Sequence, residues 1–423
     1  MSPTFRALAH RNYRLYYTGG FVSNIGTWMQ RVAQDWLVLL LSDNDGTALG
    51  ITTGLQFLPI LLLSPYAGAV ADRFPKKRLI QMAQLMMAAP AVLLGVLAVT
   101  GLAEQWHVYA IALLFGIGTA FEAPVRQSFI SELVTPEDLQ NAVGLNSASF
   151  NGGRIIGPGL AGLMIAALGS GVQATGVVIL INAASYGAVL IALQGIRGGL
   201  PERDGPPPPR RGMVVDGMRY VRSRPDLLLV LGVMFFVGTF GLNFQLTSAL
   251  MATEVYDKGA GEYGVIGSIM ALGSITGALL SARRSTTSLR LVLSAAVVFG
   301  GVEIVIATMP TYLAFVVLTP VIGITALTTI TSANTVMQLT VPSELRGRVM
   351  ALYLMVFMGG TPIGSPLIGW VGETFGARWS LIGGGLMSIL GTLLCAALYV
   401  RARSRWQADV EPELEPALPR LVG

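Results

Sequence analysis

The chain has 423 residues, of which 53% are hydrophobic and only 12% charged, with a mean hydropathy of +0.63. A soluble globular protein carries about 25% charged residues. Half that level cannot cover a water-facing surface, which excludes a soluble enzyme of one or two domains and a disordered chain alike. The net charge of +5 could suggest nucleic acid, but its placement along the chain assigns it to membrane topology, and no nucleic-acid partner is expected. One cysteine, Cys395, lies in an apolar run, and the two histidines, His10 and His107, are far apart. Neither a disulfide framework nor a metal site built on these residues is expected. The first 15 residues are polar and basic and a long span follows, so no cleavable leader is expected.

A membrane-crossing helix needs about 20 mostly apolar residues. In chain order the sequence predicts twelve: 15–41, 47–71, 79–101, 107–131, 141–168, 172–195, 227–252, 262–282, 290–308, 311–338, 349–371 and 378–400. The reading is an all-α membrane protein of two six-helix halves, 1–196 and 227–402. A polar linker, 197–226, joins them, and a tail, 403–423, follows. The linker region holds Pro206 to Pro209 and reads as solvated. With the N-terminus in the cytoplasm, 23 of the 28 Lys and Arg fall on the cytoplasmic side and two, Lys258 and Arg378, outside. That bias predicts a multi-pass protein of the cell membrane with both termini cytoplasmic.

Shifting the chain by 207 residues overlays 134–162 on 341–369 without gaps. Ten of the 29 positions match, among them Gly153 with Gly360, Gly157 with Gly364 and Gly162 with Gly369. Spans 4–5 therefore correspond to spans 10–11. Parallel repeats of this kind place a substrate site near the membrane midplane between the halves.

The loop after span 2 reads Gly68-Ala-Val-Ala-Asp72-Arg73-Phe74-Pro75-Lys76-Lys77-Arg78. It resembles the G-x-x-x-D-R-x-G-R-K loop of the major facilitator superfamily, matching at Gly68, Asp72 and Arg73. Pro75 and Lys76 depart from the pattern. Gly68 permits close helix approach, and Asp72 can accept from free N–H groups at a helix start. The resemblance implies that this helix is span 11, near Gly347–Met350, and that the motif latches the cytoplasmic side. Lys76 can pair with Glu132 at the end of span 4. Plain positive-inside charge is the alternative reading. Arg126, towards the same end of span 4, is a gate candidate and lies four residues after Glu122.

Span 5 carries Gly152-Gly153 and then Gly157-Pro158-Gly159-Leu160-Ala161-Gly162. This is similar to the superfamily's span-5 pattern associated with exporters. The same residues fit G-x-G-x-x-G, but a dinucleotide site needs a strand before it. Small residues here suit close helix packing, with or without a bearing on direction.

Span 1 places Asn24, Thr27, Arg31, Gln34 and Asp35 on one face, with Arg31 and Asp35 four apart and able to pair. Charges at this depth should line a watery cavity, making the face a candidate for substrate or proton, with a structural ion pair as the alternative. Arg154 in span 5, Asn243 and Gln245 in span 7, and Asn334 and Gln338 in span 10 add polar groups. Proton-coupled members of the superfamily often carry an Arg four residues before a Gly in span 4. Here that position is Ala112, and Arg154 could take the role. Glu303, deep in span 9, is expected to face lipid, as proton carrier or packing partner. Aromatic residues such as Tyr13, Trp28 and Trp36 suit bulky apolar or cationic compounds, or interface belts.

The segments Gly26-Thr27-Trp28-Met29-Gln30, Trp36-Leu37-Val38 and 129–139 resemble the enterobactin-exporter and macrolide-efflux branch of the superfamily. The resemblance implies twelve helices in two pseudo-symmetric halves. No Walker sequence and no catalytic triad is present, so enzyme activity and primary pumping are not expected, and no cofactor is implied. The leading expectation is a monomeric secondary transporter, a proton-driven exporter of a drug-like molecule or siderophore. A nutrient importer or facilitator is the alternative. A sensor or scaffold of transporter form is a third reading, and would be expected to carry a large extra domain.

Overall fold

In the computed structural model the backbone is described for residues 3–196, 213–284 and 287–414. Among these residues there is no strand. Six long helices form the first half: α1 (Arg11–Leu41), α2 (Gly46–Arg73), α3 (Lys76–Val99), α4 (Gln105–Leu133), α5 (Leu139–Ala167) and α6 (Val172–Gly195). A short helix, α7 (Met213–Arg222), occupies part of what the sequence suggests is a solvated linker, and packs on α13 (Ser343–Gly359). The rest of the predicted linker, 197–212, lies outside the described residues.

The second half begins with a broken segment, Pro225–Val255. It comprises α8 (Pro225–Phe236), a π turn at Val237–Gly241, α9 (Phe244–Leu250) and a second π turn at Met251–Val255. There follow α10 (Ala260–Ala282), α11 (Leu289–Ala307), α12 (Tyr312–Thr340), the pair α13 and α14 (Thr361–Phe375), and α15 (Ala377–Leu414). The predicted spans agree with these bounds to within about six residues, except that α15 runs on to Leu414 where the sequence predicts an end at 400 and a tail from 403.

Among the described residues, ten segments are long and apolar enough to cross a membrane. The two other long helices, α1 and α5, have the length, about 45 Å each at 1.5 Å per residue. They lack the apolarity because they carry Asn24, Gln30, Arg31, Gln34 and Asp35, and Asn146, Asn151 and Arg154. Both are inner helices, packed on each other. The outside is apolar instead: Leu163, Ile191, Leu313, Val317, Leu393 and Leu394 are exposed. A water-soluble surface does not carry such a coat.

The packing repeats. In the first half α1 contacts α5 and α6, α2 contacts α4, and α3 contacts α4 and α6. In the second, segment 225–255 contacts α14 and α15, α10 contacts α12, and α11 contacts α12 and α15. The halves meet chiefly through α5 on α10 and α2 on α14, two pairs that exchange under the same correspondence.

The repeat holds for individual glycines. A Cβ on Gly157 would lie 2.6 Å from Trp28 Cβ of α1, and one on its mate Gly364 would lie 1.7 Å from the Thr239 carbonyl oxygen of segment 225–255. A Cβ on Gly162 would lie 2.4 Å from the Ala260 oxygen, and one on its mate Gly369 would lie 2.2 Å from the Gly46 oxygen. The predicted small-residue face of span 5 therefore serves two neighbours. Gly153 and Gly157 admit α1, while Gly159 and Gly162 admit α10. At Pro158 the helix ladder is opened by a neighbour: Ser268 Oγ accepts from the Gly159 N–H (2.9 Å) and donates to the Ile155 carbonyl (2.5 Å).

The predicted loops 73–78, 134–138 and 196 share one end of the molecule. There Arg6 and His10 bind Asp138, Lys76 binds Glu132, and Lys77 donates to the Ile196 carbonyl. His10, then Arg6, hold the Asp138 carboxyl below its usual range. This is the basic end. The tightest contacts between halves lie towards the other end, where Gly46, Gly50 and Gly54 of α2 meet Gly369, Ser365 and Pro362 of α14. Trp106, Trp370, Phe375 and Trp379 are exposed at that end, as an interfacial belt would be.

A Cβ on Gly50 would sit 2.4 Å from the Ser365 oxygen, against backbone that cannot yield. Gly50→Val is therefore expected to spring the α2–α14 seal. In a Cys395→Ser background, a membrane-impermeant maleimide added from the side of the Ser42–Asp45 loop should label Thr53→Cys several-fold faster when Gly50 is replaced. An unchanged rate would count against the seal.

Candidate functional site

Between the halves lies a cavity of about 260 Å³. Its walls come from both halves: Trp28 and Arg31 of α1, Thr53 and Phe57 of α2, Arg154 of α5, and Asn243, Phe244 and Gln245 of the broken segment. Met270, Phe299, Ile322, Ile330 and Phe357 close the far side. A smaller cavity of about 90 Å³ lies within the first half, sharing Trp28 and Arg31 and adding Asn24, Glu122, Arg126 and Tyr186.

Trp28 anchors the polar wall. The Arg31 guanidinium lies 4.8 Å from its ring centroid, and that of Arg154 lies 5.8 Å away. Phe57 approaches Arg31 at 5.6 Å. The quadrupole of an aromatic face offsets part of the cost of desolvating a cation. Arg31 Nε and Trp28 Nε1 are buried without a hydrogen bond.

The five polar residues of α1 do not act as one stripe. Asn24 donates to Ser149 Oγ (2.8 Å) and accepts from Arg126 (3.2 Å), inside the first half. Gln34 is 1% exposed with an unbonded Nε2. Asp35 does not form the expected ion pair with Arg31. Its Oδ2 accepts instead from Gln245 Nε2 (2.6 Å) and the Tyr263 hydroxyl (2.8 Å), both in the second half. The two hydrogen bonds satisfy the buried carboxyl oxygen directly, so the helix-adjacent arginine is left to the cavity. Trp36 stacks on the same Tyr263 at 6.4 Å.

The other expected pair does form. Glu122 Oε1 lies 3.4 Å from Arg126 Nε, one helical turn away. Arg126 thus points into the inner cavity of the first half. At the basic end, Lys76 and Glu132 pair as the sequence suggests, and Arg73 is exposed. Gly68 and Asp72 lie outside the described residues as far as their side chains go.

Asn243 lines the cavity and secures the first π turn, donating to the carbonyls of Thr239 (2.8 Å) and Phe240 (3.2 Å) and accepting from Ser365 Oγ (2.6 Å). π turns inside helices commonly mark functional positions. Asn334 and Gln338 bond to each other, Gln338 is exposed, and neither lines the cavity. Glu303 corrects its expectation. It is 1% exposed and faces Gly241 and Gly385 rather than lipid, because α11 turns this face onto α15 and the π turn. Tyr13, too, is buried, donating to the Ala142 carbonyl at 2.8 Å. Sequence reading missed Tyr263, Phe57, Ser268 and the π turns. Tyr263 carries no local signal, since its partner lies 228 residues away.

The chain matches the model of the transmembrane secretion effector family over residues 2–420. It belongs to that family, a branch of the major facilitator superfamily. The multidrug efflux pump Tap of Mycolicibacterium fortuitum is 28% identical over 387 residues, covering 87% of this chain and 91% of the pump. The staphyloferrin A transporter of Staphylococcus aureus is 33% identical over 154 residues, 36% of this chain and 38% of that protein. In structure the chain resembles an inward-facing, occupied bacterial homologue of the human lysosomal transporter Spinster. The TM-score is 0.71 at 18% identity, covering 95% of this chain and 98% of that one. A D-xylose–proton symporter aligns with a TM-score of 0.68 at 12% identity, covering 90% and 96%. Those two likenesses show the fold. The family and its relatives make this chain a multi-pass membrane transporter of small molecules, not an enzyme.

Removing one partner of a buried ion pair costs about 3–5 kcal/mol, because the other charge stays behind. Part of that is relieved by the cavity beside Arg126. Glu122→Gln should lower the thermal unfolding midpoint in detergent by several degrees. The double variant with Arg126→Met should be milder than Glu122→Gln alone. Additive losses would show that the pair is not coupled.

Proposed function

We propose that this transporter is a proton-driven exporter of a drug-like molecule or siderophore, working by alternating access as a monomer in the cell membrane. The halves 1–196 and 227–402 rock about the central cavity, with 197–226 as linker and 403–423 as tail. The basic end is cytoplasmic, supported by the distribution of Lys and Arg, 23 against two. The end sealed by α2 on α14 and α5 on α10 is then the outer end, and this conformer presents its cavity inward.

The observation that carries the reading is Asp35. It is an acid 5% exposed on α1, bonded across the interface to Gln245 and Tyr263 near the sealed end. An ionised carboxylate accepts both bonds and ties the halves together there. Protonation removes the charge that strengthens them and loosens the tie. Opening the outer end therefore depends on the proton state of one interfacial group, which is what coupling to a proton gradient requires. Glu122, paired to Arg126, and Arg154, on the cavity wall, are further groups of the substrate or proton path. Gly68, Asp72 and Arg73 would latch the basic end when the outer end opens. Lys76 and Glu132 hold the loop that carries them.

Export is supported by the relatives named as efflux pumps and by the span-5 motif Gly153, Gly157, Pro158, Gly159 and Gly162. The fold is shared with a proton symporter, so direction must be measured. Cells expressing the protein should accumulate less of at least one dye from a panel of cationic, neutral and anionic fluorophores. A protonophore should erase the difference. Asp35→Asn should abolish transport at an unchanged protein level. Higher accumulation in expressing cells would mean import. Full activity of Asp35→Asn would remove Asp35 from coupling.

A further inference from the structure

The central cavity is lined by two cations and, among the described residues, by no acid. None of the carboxylates near it belongs to its wall. Asp35, one turn beyond Arg31, has its Oδ2 held by Gln245 and Tyr263. Glu122 is paired with Arg126. Glu303, one turn from the cavity-lining Phe299, turns towards Gly241 and Gly385. Arg31 and Arg154 both approach one indole, neither is in a salt bridge among the described residues, and buried donors on Arg31 and Trp28 have no acceptor. Two guanidiniums set on the same ring repel one another, and each has been withdrawn from bulk water. A single anion between them relieves both costs and fills the empty donor positions.

We infer that the transported substrate is an amphiphilic organic anion, whose carboxylate or sulfonate head is received by Arg31 and Arg154 beside Trp28 and whose apolar body lies against Phe57, Phe244, Met270 and Phe357. This rests on the reading of the cavity as the transport site. Guanidinium suits such a head because its planar fork matches two oxygens at once. The remaining walls are mostly aromatic and aliphatic, with uncharged polar groups at Thr53, Asn243, Gln245 and Ser274, and offer the body no charge to pair with. At about 260 Å³ the cavity lies just below the range of roughly 300–1,000 Å³ in which drug-sized ligands sit. An aromatic cavity alone would also suit cations, but the positive potential of two unpaired arginines opposes them.

The test compares three ligands with one ring system and different charge: 2-naphthoate, 2-naphthamide and 2-naphthylmethylammonium. Binding to the purified full chain in detergent is measured by titration calorimetry. Naphthoate should bind at least ten-fold more tightly than the amide, and the ammonium compound most weakly. Arg31→Gln and Arg154→Gln should each reduce the preference for naphthoate over the amide at least several-fold. Arg31→Lys should restore part of it, which separates charge recognition from a folding defect. Three outcomes would overturn the inference: ammonium binding as tight as naphthoate, a preference that survives both Gln variants, or no naphthoate binding. Transport in energised inverted vesicles, with ethidium and fluorescein as probes, keeps the two readings apart. Ethidium movement without naphthoate binding would sink the anion and leave export standing. Naphthoate binding without movement of either dye would sink export and leave the anion site.

Discussion

A charged side chain in hydrocarbon needs a partner or water, and the middle of this molecule is organised around that requirement. Arg31, Asp35, Glu122, Arg126 and Arg154 all belong to long helices of the first half, and all turn inward. Each meets its need differently. Glu122 and Arg126 take each other, Asp35 takes two neutral donors from the opposite half, and Arg31 and Arg154 take the face of Trp28. The outcome is a cavity whose polar wall is strongly positive and whose other walls are apolar. The apolar helices of the periphery are free to face lipid because the inner helices carry the charge.

Close approach between the halves is the second requirement, because the bilayer supplies no hydrophobic drive between apolar helices. Backbone contact supplies it here, through Gly46, Gly50 and Gly54 on α2 and Gly159 and Gly162 on α5. Such contacts are all-or-none: a Cβ at Gly369 would fall 2.2 Å from a carbonyl oxygen. They hold one end shut without long side chains that would have to be withdrawn for it to open. Ser268, joining Gly159 to the Ile155 carbonyl, adds a polar tie beside Pro158, where the helix ladder already lacks a donor. Asp35 adds a polar tie between the halves, to Gln245 and Tyr263.

Local spacing made part of the site legible. Glu122 and Arg126 are four apart on an uninterrupted helix, and they pair as that spacing suggests. Lys76 and Glu132 were legible because a loop and a helix end share one side of the membrane. Arg31 and Asp35 have the same spacing as Glu122 and Arg126 and do not pair. Two donors 210 and 228 residues away outcompete the neighbour. Asn334 and Gln338 share a helix face, as read, but that face lies outside the cavity wall. Glu303 was assigned to lipid from the position of its span, whereas the rotation of α11 about its own axis decides where it faces.

The sequence by itself determined the approximate bounds of most long helices, the duplication, and the polar face of span 1. Hydropathy, length and a 207-residue offset are properties of the chain read one residue after another. Only the tertiary structure decided which groups meet: Tyr263 with Asp35, two arginines on one indole, and a π turn beneath Gly360 and Gly364. Such contacts depend on helix rotation and on distances of a few ångströms between segments far apart in the chain. A one-dimensional pattern fixes the face a helix buries, but not the partner it finds there.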